Sequence, residues 1–128
     1  MEHIKTIAEF KVDDAVEQAF NKGFAEGKKE KSDKDQRIKQ IAIHYGILSQ
    51  LEMMIEESSE LTQAICKLRR VNSGEGYEKA YENLKEELAD VIVVAKQLRY
   101  LIGKDDIDRI ISEKLDRQMR RISDENTN

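Results

Sequence analysis

LSQLEMMIEESSELTQAICKL, residues 48–68, places Leu48, Leu51, Met54, Ile55, Leu61, Ile65 and Leu68 largely at helical spacings of three, four and seven. That spacing gathers apolar side chains on one face of an α-helix. Residues 77–102 repeat the pattern through Leu84, Leu88, Val91, Ala95, Leu98 and Ile102. Between the two, Val71-Asn-Ser-Gly-Glu-Gly76 supplies turn residues, and an antiparallel helical hairpin is predicted. Gly103 marks a C-terminal stop and Asp105 the N-cap of a last helix, whose apolar face is Ile107, Ile111, Leu115 and Ile122. The predicted fold class is all-α, a helical bundle.

Upstream the pattern is weaker. Val16, Phe20 and Phe24 recur every four residues and predict one short amphipathic helix, weakened by Gly23 and Gly27. The polar stretch Lys28–Gln36 reads as a linker or a charge-rich helix. The tail from Ser123 is polar and expected to fray.

Composition agrees with helices. The 128 residues contain no proline or tryptophan, and 38% are charged. The single cysteine, Cys66, excludes an internal disulfide, and no Cys/His cluster suggests zinc. A net charge of −4 argues against nucleic acid as a partner, since a phosphate backbone needs a basic surface. The longest apolar run, Val91–Ala95, is too short to span a membrane, and the N-terminus lacks an apolar signal core. A soluble, cytoplasmic protein is expected.

Two acidic clusters stand out: Glu56-Glu57-Ser58-Ser59-Glu60 and Glu86-Glu87-Leu88-Ala89-Asp90. Acids three apart project from one side of a helix. At about 100° per residue, Glu57 and Glu60 lie roughly 90° and 150° from the centre of their apolar stripe. Glu87 and Asp90 lie roughly 60° and 120° from theirs. Counted from the turn, Glu60 and Glu87 stand about 16 and 15 Å down the hairpin, and Glu57 and Asp90 about 21 and 20 Å. All four are therefore expected at one level.

Four carboxylates brought together repel, and a hard divalent cation resolves the conflict. Mg²⁺ takes oxygen ligands and is commonly shared between carboxylates and substrate phosphates; Mn²⁺ is a plausible substitute. No imidazole or thiolate lies in either cluster, which disfavours zinc. In a chain with 26 acidic residues, either cluster alone is more simply a solvated helix face. The match in spacing, phase and height is what points to a site.

These residues resemble the EExxE…ExxD motif of the MazG-like all-α nucleoside triphosphate pyrophosphohydrolases. The flanks agree: Ile41-Ala-Ile-His-Tyr-Gly46, Gln50, Leu61-Thr-Gln-Ala-Ile65, Tyr81 to Asp90, and Lys114-Leu-Asp-Arg-Gln-Met-Arg-Arg-Ile122. The resemblance covers about residues 36–122, leaving 1–35 as an arm and 123–128 as a tail. Ser59 stands where the family often has glycine, and Gln118 where asparagine is common; neither removes a carboxylate.

The resemblance implies cleavage of a nucleoside triphosphate between its α and β phosphates, releasing a monophosphate and pyrophosphate. It assigns Glu57, Glu60, Glu87 and Asp90 to metal binding, and it implies a bundle completed by a second subunit as a homodimer or homotetramer. On chemical grounds Glu56 or Glu57 is the expected general base. Lys114, Arg117 and Arg121 share one helix face and are expected phosphate contacts, with a solvated basic face an equal alternative. Gln50 is a candidate base or ribose contact, although a partly exposed helix glutamine is the plainer account. His44, Tyr45 and Phe24 read as packing or surface residues before ligands or stacking platforms. Two other readings stay open: a dCTP-, dUTP- or phosphoribosyl-nucleotide pyrophosphohydrolase of the same fold, and a non-catalytic helical interaction module.

Overall fold

The computed structural model describes residues 14–71 and 74–127, all three of whose elements are helices: α1 Asp14–Arg70, α2 Glu75–Ile102 and α3 Lys104–Thr127. The chain divides into two units, Met1–Arg37 and Ile38–Asn128. In the first, residues 28–36 are helical and exposed, the charge-rich helix of the two expectations. Its charges pair along the helix, as Arg37 does with Asp33 at 3.2 Å, and an α-helix needs no apolar face where i,i+4 pairs and solvent satisfy it. The side chains of Val16, Phe20 and Phe24 lie outside the described residues, as do Asn72 and Ser73 in the expected turn.

The second unit is a helical hairpin with α3 continuing from its end. Gly46 interrupts α1 with φ 81° and ψ 171°, a conformation open to glycine alone. The kink redirects the chain just before the acidic segment. Inside the hairpin, Ala42, Ala64, Ala80, Val94 and Leu98 are buried, with Met54, Leu61, Leu68, Leu84 and Val91 half-buried. Small alanines on these faces permit close helix approach.

The inner faces match the stripes predicted from sequence only in part: Met54, Leu61, Leu68, Leu84, Val91 and Leu98 turn inward. Leu48 is 79% exposed, Ile55 72% and Ile102 58%, and Leu51, Ile65, Leu88 and Ala95 are exposed as well. The inner line of α1 runs through Gln50, Met54, Glu57, Leu61, Ala64 and Leu68; that of α2 runs through Ala80, Leu84, Glu87, Val91, Val94 and Leu98. Each helix thus carries one apolar face turned inward and a second turned out. A single stripe fitted to both faces falls between them.

Gly103 turns α2 into α3 in one residue. At φ 152° its N–H donates to the Arg99 carbonyl (3.1 Å) while its own carbonyl accepts from Ile107 N–H (3.0 Å). It therefore closes one helix and opens the next. The expected N-cap, Asp105, falls instead inside the first turn of α3, where with Asp106 it complements the positive helix end. The corner is clipped by Arg99, which donates from Nε and Nη2 to the two oxygens of Asp108 at 2.5 and 2.7 Å. Lys104 adds a contact at 3.5 Å. Beyond this corner α3 stays helical to Thr127, so the tail expected to fray from Ser123 is helix. No α3 residue is fully buried; Leu115, Met119 and Ile122 are half or more exposed.

Candidate metal centre

Four carboxylates of the hairpin converge. Glu57, Glu87 and Asp90 each offer an oxygen within 4.8 Å of the other two. Glu60 lies in hydrogen-bonding reach of both Glu57 and Glu87. The first pair comes from α1 and the second from α2, each three residues apart on one helix. The antiparallel hairpin sets the pairs level.

Rotational placement differs from the sequence expectation. Glu57 and Glu87 are half-buried on the inner lines of their helices, whereas Glu56, Glu60 and Asp90 are exposed. The centre therefore has a buried floor and an open rim. Oε2 of Glu57 and Oε2 of Glu87 are buried with no hydrogen-bond donor.

The electrostatics follow. Burial raises the pKa of Glu57 above the ordinary carboxylate value, and the charges of Asp90, Glu60 and Glu56 raise it further. Burial likewise raises Glu87, assisted by Glu60, Asp90 and Glu57. Among the described residues, the charges that act on these two groups are carboxylates. Such a set must take up protons or be neutralised by a cation. Buried oxygens without donors, in an all-carboxylate set, fit a hard divalent ion.

A cleft of about 300 Å³ adjoins the acids between α1 and α2. Glu57 and Asp90 line one part of it, and Tyr45, Gln50, Val93 and Gln97 line much of the rest. Gln50 is not the partly exposed helix glutamine of the plainer expectation: it is buried at 4% exposure, and its Oε1 has no donor. Gln97, not singled out from sequence, is equally buried. A signal for it existed: Gln97 lies seven residues after Asp90, as Gln50 lies seven before Glu57. Two turns of helix put each glutamine on the face of its acid.

Lys114, Arg117 and Arg121 are exposed on α3 and none lines the cleft. Tyr45 is exposed, lines the cleft and meets the His44 ring edge-on with centroids 4.8 Å apart. Cys66 is exposed. No described helix is long and apolar enough to cross a membrane. Compared with protein-family models, curated proteins and solved structures, the chain finds no match.

Proposed function

We propose that the protein is a Mg²⁺-dependent nucleoside triphosphate pyrophosphohydrolase of the MazG-like all-α type, cleaving an NTP or dNTP to the monophosphate and pyrophosphate. The observation that carries this is the joining of Glu57, Glu60, Glu87 and Asp90 into one all-carboxylate group with buried, donorless oxygens. Further support comes from the order of the motif, EExxE before ExxD, and from a cleft opening beside it.

In this reading Glu57, Glu60, Glu87 and Asp90 hold the metal. When bound, Mg²⁺ supplies charge neutralisation for the triphosphate and a lowered pKa for the attacking water. Glu57 is committed to the metal and half-buried, which leaves exposed Glu56, its chain neighbour, to accept the proton from water. The group left departing is pyrophosphate.

Among the described residues, those brought to the acidic centre are carboxylates. Lys114, Arg117 and Arg121 are assigned to the phosphates from a second subunit, because α3 turns an exposed apolar face beside them. A homodimer or homotetramer would cover that face and the outward face of α1, where Leu48 and Ile55 are among the most exposed apolar residues.

Pyrophosphate release over a panel of ribo-, deoxyribo- and modified triphosphates tests the proposal. Metal-dependent release from at least one nucleotide is expected, with loss in Asp90→Ala. No release from any member with Mg²⁺ or Mn²⁺ would overturn it.

A further inference from the structure

We propose that the buried amides of Gln50 and Gln97 form a specificity pair that reads the polar edge of the substrate's nucleobase. This rests on the pyrophosphohydrolase reading above.

Both glutamines are 4% exposed and both line the cleft. Gln50 Oε1 has no protein donor. A buried acceptor left unsatisfied is costly, so whatever fills the cleft is favoured if it brings an N–H. A nucleobase brings one, on its ring or its amino group. Gln97, on the facing helix, lines the same cleft and carries an amide able to donate or accept.

The rest of the lining selects against the other end of a nucleotide. Ile41, Met53, Val93 and Val94 are apolar, and neither lysine nor arginine lines the cleft. A phosphate there would be desolvated without a counter-charge. A flat, neutral ring would instead lie against apolar walls with its polar edge on the amides. The cleft, about 300 Å³, is at the lower end of small-molecule pockets and suits a base better than a whole nucleotide.

Spacing links the two ends. Seven residues separate Gln50 from Glu57 and Asp90 from Gln97, about 10.5 Å along each helix. A ribose and its first phosphate bridge such a gap, leaving the anhydride bond at the carboxylates.

The test compares a non-hydrolysable nucleoside triphosphate with inorganic tripolyphosphate, both with Mg²⁺, by calorimetry on the full chain. The wild type is expected to bind the nucleotide at least about ten-fold tighter, and Gln97→Leu to reduce that ratio about ten-fold. Side-chain amide resonances of Gln50 and Gln97 should shift with the nucleotide and stay still with tripolyphosphate. Equal affinities in the wild type, or Gln97 amide signals unmoved by bound nucleotide, would overturn the specificity pair while tripolyphosphate binding leaves the metal centre standing. Failure of both ligands to bind would overturn both.

Discussion

Glu57 on α1 and Asp90 on α2 meet across the hairpin, and the charge of Asp90 is the largest electrostatic influence on Glu57 after burial itself. Without a cation this contact opposes the fold that creates it. Substituting Asp90 by Ala should therefore leave the helices formed, by circular dichroism, while lowering kcat about 10²–10³-fold, the usual scale for losing one group that stabilises developing charge. Glu60→Ala should behave alike. Near-normal turnover in either variant would remove that residue from the metal set.

The same repulsion sets a pH dependence. Glu57 and Glu87 have folded-state pKa values raised above the unfolded value of about 4.3. Their contribution is fully present below the unfolded pKa and is lost as pH rises through the raised values. Metal-free protein should therefore lose thermal stability over that rise, and Glu87→Gln should lose less. Mg²⁺ should restore the wild type at pH 7.5 and have little effect on Glu87→Gln. Thermal melts across pH, with and without Mg²⁺, check both points.

Asp108 has the opposite sign. Its hydrogen bonds from Arg99 lower its pKa, so its contribution is present above the unfolded value of about 3.9 and is lost as pH falls through the folded one. Asp108→Asn should lower Tm at neutral pH by loosening the α2–α3 corner. The variant and wild-type melts should converge in strong acid. A gap that persists unchanged there would mean that packing, not charge, is what the substitution disturbs.

Gly46 fixes the kink before the site. Its φ of 81° and ψ of 171° leave nothing within 4 Å of an added Cβ, so an alanine there meets backbone strain, not a clash. Gly46→Ala should cost about 1–3 kcal/mol in urea unfolding. It should also raise KM, because a straightened α1 displaces Ile41 and Tyr45 from the cleft.

Lys114→Glu should raise KM for nucleotide with little change in the metal concentration required. Sedimentation should give a dimer or larger at micromolar concentration. Leu115→Glu, which charges the exposed face of α3, should shift the protein toward monomer. A wild type that sediments only as monomer would remove the shared-site assignment of Lys114, Arg117 and Arg121.

The hairpin and the level of the acids were legible in the sequence, because rise per residue and chain reversal depend on little but helix geometry. The rotational phase was not. Leu48, Ile55 and Leu88 are apolar but face outward, and a periodicity analysis counts them with the inner residues. Glu57 and Glu87 therefore seemed to flank a seam that they in fact enter. For Gln97 the sequence carries only its seven-residue spacing from Asp90, which gains meaning once the hairpin brings it to the same cleft as Gln50. The single-residue corner at Gly103 was half legible: the stop was expected there, but not that the same carbonyl would start α3.

The most direct measurement is isothermal titration of the full chain with Mg²⁺ in the presence of a non-hydrolysable nucleoside triphosphate. Heat of nucleotide binding should appear only with the metal and vanish in the Glu60→Ala and Asp90→Ala variants. Nucleotide binding that is indifferent to Mg²⁺, or absent with Mg²⁺ and Mn²⁺ alike, would contradict the assignment of Glu57, Glu60, Glu87 and Asp90 as a metal centre for triphosphates.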